Sequence, residues 1–94
     1  MANNSSESND SKKILLYAHS KCGFCQKLEN EIEKNAAEIK ALNIEVERIA
    51  CDVHPEVCES AGVTGFPHLV NKCDQIQPGY VNQDKFVKFA NCDQ

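Results

Sequence analysis

The segment that most constrains the fold of this 94-residue chain is a short apolar run that leads into two closely spaced cysteines. Residues 14–18 read ILLYA, a continuous apolar stretch typical of a buried central strand. Cys22 and Cys25 follow, and from Cys25 to Leu42 apolar residues recur every three or four positions, which predicts one long amphipathic helix. A Cys-x-x-Cys pair between a buried strand and a helix predicts a redox-active dithiol.

The rest of the chain extends this pattern to a small α/β domain of order βαβαββα. A four-stranded mixed sheet flanked by helices is expected, with the first two strands parallel through a right-handed crossover and the last two in a hairpin. Pro78 marks the last strand as an edge strand, because proline cannot donate to a central ladder. The elements predicted after the first helix are a strand at 45–50, a helix at 55–61, a turn and strand at 63–70, a strand at about 75–80, and a helix capped by Asn82 that runs to about residue 91.

Length and charge limit the chain to one domain and exclude several partners. We assign residues 1–13, which are polar, to a disordered tail and residues 14–94 to the domain. The formal net charge is -4, which argues against nucleic acid and anionic membranes as partners. The apolar runs are about five residues long, far below the roughly 20 that a membrane helix needs. A monomer is expected.

Six cysteines in so short a chain give conflicting indications of compartment. An even number of cysteines is typical of disulfide-bonded proteins in oxidising compartments. The amino-terminal residues 1–13 contain no apolar signal core, which favours the cytoplasm. The sequence leaves both compartments open.

The two cysteines of the pair are predicted to have different roles. Cys22 lies at the helix start, where free N–H groups and the helix dipole favour a thiolate, so it is the predicted nucleophile. Cys25 lies on the apolar face and is the predicted resolving thiol. Gly23 is expected to give the turn conformational freedom, and Phe24 to contact a partner near the sulfur. His19 adds a third candidate metal ligand, but structural zinc sites use four, so no metal site is predicted.

At this point the chain resembles the thioredoxin superfamily, over roughly residues 14–91. Two motifs carry the resemblance: Cys-Gly-Phe-Cys at 22–25 and Gly-Val-Thr-Gly-Phe-Pro at 62–67, which is similar to the family segment before its cis-proline. The resemblance implies a cis Phe66–Pro67 bond, with Pro67 facing the redox pair and its backbone holding an extended substrate peptide. It thus adds Phe66 and Pro67 to Gly23 and Phe24 as substrate-binding residues.

The chain also departs from individual branches of that superfamily. It lacks the first strand and helix of thioredoxin, and Leu16 occupies the position of the family's buried carboxylate, six residues before Cys22. The motif CGFC differs from the CPYC of glutaredoxin, and beyond Gly79 we find no clear glutathione-binding set. The segment 51–58 is similar to segments of protein disulfide isomerase domains.

The resulting prediction is a thiol–disulfide oxidoreductase that acts on protein disulfides, with no cofactor beyond its own dithiol. Glutathione is a candidate reductant. The expected partners are protein thiols or disulfides and an upstream reductase or oxidase. The alternatives are a glutathione-dependent glutaredoxin, a non-enzymatic thioredoxin-like binding module and a metal-binding module.

The four remaining cysteines are candidates for structural disulfides. Cys51 and Cys58 flank the second strand and second helix, where they are either bridged or buried as free thiols. Chain direction places the hairpin turn that holds Cys73 at the end of the sheet away from the redox pair. The final helix runs back to the same end and carries Cys92 there, so a Cys73–Cys92 bridge is predicted. Two free thiols are the alternative.

Overall fold

The computed structural model describes residues 12–92. The predicted polar tail lies outside the described residues except for Lys12 and Lys13, which belong to the first strand instead. The elements are β1 (Lys12–Ala18), α1 (Gly23–Lys34), α2 (Ala36–Ala41), β2 (Ile44–Ala50), α3 (Pro55–Ser60), β3 (His68–Val70), β4 (Ile76–Pro78) and α4 (Gln83–Ala90).

The four strands form one mixed sheet in the order β2-β1-β3-β4. β1 runs parallel to β2, with Ala18 opposite Ala50, and antiparallel to β3, with Tyr17 opposite His68. β3 and β4 form the hairpin, and β4 with Pro78 is an edge strand. The predicted α/β class, strand directions and edge position are therefore confirmed.

Each face of the sheet has its own apolar core, because successive residues of β1 point to opposite sides. The larger core contains Cys25 and the inward faces of α1 and α4. The smaller core lies on the other face. The buried members of the larger core are Ile14, Leu16, Ala18, Cys25, Leu28, Ile39, Ile44, Leu69, Val81, Phe86, Phe89 and Ala90, and those of the smaller core are Tyr17, Cys51 and Cys58.

The long helix predicted from Cys25 to Leu42 is wrong in one respect, because it is broken at Asn35. Asn35 ends α1 and precedes α2, with a backbone conformation outside the helical region (φ -103°, ψ 22°). Its side-chain Nδ2 donates to the Glu31 carbonyl at 2.9 Å. Asparagine competes in this way for backbone groups that would otherwise continue the helix. The apolar stripe continues across the break, which is why periodicity alone did not reveal it.

β1 begins two residues earlier than the apolar run indicated. The backbone N–H of Lys12 donates to the Asn43 carbonyl at 2.8 Å, and its Nζ lies 3.3 Å from the Leu42 carbonyl oxygen. Lys13 pairs with Glu47 on the neighbouring strand, with 2.8 Å between Nζ and Oε1. Polar side chains can extend a strand in this way where its end is exposed.

At the end of the sheet away from Cys22, a disulfide and a set of hydrogen bonds link the β3–β4 turn to the end of α4. Cys73 in the hairpin turn is bridged to Cys92, with Cα atoms 6.2 Å apart. Beside the bridge, the buried Asn71 donates from Nδ2 to the Phe89 carbonyl at 2.8 Å. Its Oδ1 accepts from the N–H groups of Cys73 at 2.9 Å and Gln75 at 3.0 Å. The hairpin turn and the end of α4 are thus held together by a covalent and a polar link.

Within residues 12–92, no helix combines the length and the apolar character needed to cross a bilayer.

Candidate active site

The candidate site lies where β1 ends and β3 begins. Since Tyr17 of β1 pairs with His68 of β3, the loop after β1 and the loop before β3 meet at one edge of the sheet. The first loop leads to Cys22 and the second contains the Phe66–Pro67 bond. The parallel strand β2 ends at the same edge, and the N–H of Cys51 donates to the Ala18 carbonyl at 2.8 Å.

Cys22 is the N-cap residue of α1. Its backbone is extended (φ -97°, ψ 112°), and its Sγ accepts a hydrogen bond from the backbone N–H of Cys25, with 3.1 Å between N and S. The N–H of Cys22 in turn donates to the His19 carbonyl at 3.1 Å. The first N–H groups of a helix have no partner within the helix, so one of them is available to stabilise an anionic sulfur here. Cys22 is half-buried, whereas Cys25 is buried.

Cys25 occupies a contrasting environment one turn further along α1. Its side chain is fully buried in the larger core. Burial, together with the hydrogen bond to Cys22, raises the pKa of the Cys25 thiol to about 12. The two free thiols therefore differ in the way that attack by one and later resolution by the other require.

The Phe66–Pro67 peptide bond is cis, as the resemblance implies. Pro67 is fully buried, and its carbonyl accepts the N–H of Gly79 at 2.8 Å. Gly79 has a φ of +82°, a left-handed conformation that favours glycine. Phe66 remains partly exposed, with its ring centroid 5.4 Å from that of His19.

An aromatic and charged cluster lies at the start of α1. Phe24 is 62% exposed, and its ring centroid lies 6.5 Å from that of Tyr80. The Nζ of Lys27 lies 4.8 Å from the centre of the Tyr80 ring, within cation–π range. The Tyr80 hydroxyl donates to Oε2 of Glu31 at 2.7 Å, and this bond raises the pKa of Tyr80. Sequence reasoning missed Tyr80 and Glu31, whose contact spans 49 positions.

One expected role within the motif is wrong. Gly23 does not act as a flexible turn residue, because it is the first residue of α1, and only Gly62 and Gly79 have positive φ values among the described glycines. A Cβ built on Gly23 would have no atom within 4 Å. Glycine here leaves open space beside Cys22 rather than permitting an unusual turn.

His68 follows the cis-proline and points away from solvent. Its ring lies edge-on to Tyr17, with centroids 5.6 Å apart, and it is only 7% exposed. Burial lowers its pKa, and its Nε2 has no hydrogen-bond partner within the described residues. His68 is therefore a neutral core residue in this structure.

The second cysteine bridge lies close to the site. Cys51 and Cys58 are bonded, with Cα atoms 5.7 Å apart, and link the end of β2 to α3. The next residue, Asp52, accepts a side-chain hydrogen bond from Ser20, which lowers the pKa of Asp52. These contacts connect the turn after β2 to the turn that carries Cys22.

Comparison with known families agrees with this geometry. The thioredoxin family model matches residues 3–92. The chain belongs to the thioredoxin family. This thioredoxin-family domain is also similar to protein disulfide-isomerases, being 40% identical over 48 residues to the one from Arthroderma benhamiae, a match covering 51% of this chain and 9% of that protein. Protein disulfide isomerase-like 2-1 from Oryza sativa subsp. japonica is 43% identical over 49 residues, or 51% of this chain and 13% of that protein.

Solved thioredoxin structures share the fold of this thioredoxin-family domain. Chloroplastic thioredoxin z superposes with a TM-score of 0.77 at 21% identity, covering 90% of this chain and 80% of that one. Fasciola hepatica thioredoxin gives a TM-score of 0.73 at 20% identity, covering 90% and 83%. The curated relatives are much longer, since the chain matches only 9% to 14% of their lengths. Family and relatives together support thiol–disulfide oxidoreductase activity.

Proposed function

We propose that this domain is a thiol–disulfide oxidoreductase acting on protein disulfides, with Cys22 as nucleophile and Cys25 as resolving thiol. The observation that carries the proposal is the pairing of a half-buried N-cap Cys22, whose sulfur accepts the Cys25 N–H, with a fully buried Cys25 thiol. The N–H at the helix start would stabilise a thiolate at Cys22, the species that attacks a disulfide.

In the reductive direction the reaction proceeds by two thiol–disulfide exchanges. The Cys22 thiolate attacks one sulfur of the substrate disulfide, the substrate S–S bond breaks, and the released substrate thiolate takes a proton. Cys25 then loses its proton and attacks the Cys22 sulfur, which breaks the mixed disulfide and releases the second substrate thiol. The substrate gains two electrons and two protons, and Cys22 and Cys25 end as a disulfide. The same steps in reverse oxidise a dithiol.

The exposed aromatic side chains around Cys22 favour a polypeptide as substrate. Phe24 and Phe66 are both exposed, and aromatic side chains supply large contact areas at protein interfaces. The disulfide-isomerase relatives are named for action on proteins, which favours the same substrate class here. No cofactor beyond the dithiol is proposed. The proposed partners are protein substrates and an upstream reductase or oxidase, with glutathione as a candidate reductant and the monomer as the working form.

Reduction of insulin with dithiothreitol as electron donor tests this proposal. The reduced protein should accelerate insulin precipitation, and Cys22→Ser should abolish the acceleration. The matched control is the double variant Cys73→Ser/Cys92→Ser, which also removes cysteines but at the opposite end of the sheet, and it should stay active. Full activity in Cys22→Ser would overturn the proposal. A fast, saturable glutathione-dependent rate on a small mixed disulfide, with slow insulin reduction, would assign the domain to the glutaredoxin class.

A further inference from the structure

Resolution of the mixed disulfide requires Cys25 to lose a proton inside the larger core. Cys25 is fully buried, and its pKa is raised to about 12, so at neutral pH it is a thiol. A thiol is a poor nucleophile, and the thiolate is the species that attacks. Leu16, which packs in the same core, offers no proton acceptor. A proton acceptor elsewhere in this chain would therefore speed the resolving step.

Glu29 is the carboxylate placed to do so. It follows Cys25 by four residues on α1, and residues at this spacing lie on the same face with Cβ atoms about 5–6 Å apart. Its side chain is 30% exposed, so it lies at the boundary between the core and solvent. The negative charge of Glu29 acts on the Cys25 thiol and contributes to raising its pKa.

A cavity of about 290 Å³ lies beside Glu29. Leu16 and Val46 line it from the sheet, and Ile32 and Glu33 line it from α1. Its volume exceeds that of a single water molecule several-fold, roughly 30 Å³ in the liquid. Water can therefore reach the Glu29 carboxylate through this cavity, which Cys25 itself does not line.

Arg48 on β2 fixes the carboxylate at the cavity. Its Nε donates to Oε1 of Glu29 at 2.8 Å, a contact between residues 19 positions apart in the chain. This bond holds the carboxylate through Oε1, which favours Oε2 as the proton-accepting atom. The charged residues that line the cavity beside Glu29 are Arg48 from β2 and Glu33 from its own helix, while β1 contributes the apolar Leu16.

We propose that Glu29, oriented by Arg48, accepts the Cys25 proton during the resolving step. This inference rests on the proposed function. The proton moves from the Cys25 sulfur through water to Oε2 of Glu29, which becomes a neutral carboxylic acid. The Cys25 thiolate attacks the Cys22 sulfur, the Cys22–substrate S–S bond breaks, and the Cys22–Cys25 bond forms. The leaving substrate thiolate takes up a proton, and Glu29 returns its own to solvent.

A purely electrostatic effect of Glu29 would have the opposite sign. The negative charge disfavours the Cys25 thiolate, so removing that charge alone would speed the resolving step. Removing a proton acceptor would slow it. The neutral, nearly isosteric Glu29→Gln keeps an oxygen for Arg48 and separates these two outcomes.

Stopped-flow reaction of the reduced protein with 5,5′-dithiobis(2-nitrobenzoic acid) resolves both steps. Attack by Cys22 releases the first thionitrobenzoate, and attack by Cys25 on the resulting mixed disulfide releases the second. We expect Glu29→Gln to leave the first phase unchanged and to slow the second about 100-fold, the lower end of what proton transfer by a positioned side chain contributes. Glu29→Asp, which keeps a carboxylate, should recover part of that rate. Glu33→Gln, on the same cavity, is the matched control and should change neither phase.

A second phase in Glu29→Gln that is as fast as wild type, or faster, would overturn the role of Glu29 while leaving the proposed function intact. Equal slowing of both phases would also overturn it, because a general structural disturbance affects both. A wild-type protein that never releases the second thionitrobenzoate would overturn the proposed function and this inference with it. Urea unfolding of each variant establishes that it is folded. If Glu29→Gln is unfolded, the two phases of Glu29→Asp are compared with those of wild type instead.

Discussion

Removal of the Cys73–Cys92 bridge should lower stability substantially without affecting redox activity. The bridge closes a segment with a sequence separation of 19. For a loop of that size, the restriction of the unfolded chain is worth about 3 kcal/mol. Replacing both cysteines by serine should therefore lower the free energy of unfolding by about that amount, and the melting temperature by roughly 12–24 °C for a domain of this size.

The double variant should still fold, because a second link joins the same elements. The buried Asn71 remains hydrogen-bonded to the Phe89 carbonyl at 2.8 Å and to the turn backbone. Small domains are typically stable by about 5–15 kcal/mol, which exceeds the expected loss. Activity should persist, since the bridge lies at the end of the sheet opposite Cys22.

Urea titrations of wild type and the double variant, followed by circular dichroism with the other bridge intact, measure the difference. The variant with both Cys51 and Cys58 replaced provides a comparison, because its shorter loop, with a separation of 7, predicts a smaller loss of about 2.5 kcal/mol. A loss below about 1 kcal/mol for the Cys73/Cys92 variant would refute the entropic reasoning. A folded variant without insulin-reducing activity would refute the separation of bridge and site.

Two further predictions concern residues around the site. Burial lowers the pKa of His68 below its ordinary value of 6.5. Just below pH 6.5 the unfolded chain therefore binds a proton at this residue, whereas the folded chain keeps the imidazole neutral. The free energy of unfolding should therefore fall as the pH drops below 6.5, and urea titrations across pH 5–8 should show a smaller fall in His68→Leu; equal falls would contradict this role. Phe24→Ala should raise the KM for insulin about tenfold, the loss of roughly 1.4 kcal/mol of contact, and leave the first thionitrobenzoate phase unchanged. Phe24→Leu is its control, and slowing of that first phase would show instead that Phe24 acts on the sulfur.

Local patterns in the sequence were sufficient to predict most of the fold. The apolar run at 14–18 and the proline at position 78 determine which strands are central and which are at the edge, and each signal lies within a few residues. The break at Asn35 was missed because the apolar stripe passes through it. The start of β1 at Lys12 was missed because lysines at an exposed strand end carry no apolar signal.

In the candidate site, too, the sequence predicts what depends on local spacing and not what depends on contacts between distant segments. Cys22 and Cys25 are neighbours on one helix, so their spacing alone distinguishes an exposed helix-start sulfur from a buried one. The contacts of Tyr80 with Glu31 and of Arg48 with Glu29 join residues 49 and 19 positions apart. Such pairs depend on how helix α1 lies across the sheet, and no local pattern indicates them.

Trapping of the mixed disulfide tests the central claim most directly. Cys25→Ser removes the resolving thiol, so after reaction with insulin the variant should accumulate a covalent adduct that dithiothreitol releases. Mass spectrometry of non-reduced peptides should locate the adduct on Cys22. The matched variant Cys22→Ser, which retains Cys25, should form none because that thiol is buried. An adduct on any other cysteine, or equal adduct yields from the two variants, would contradict the account.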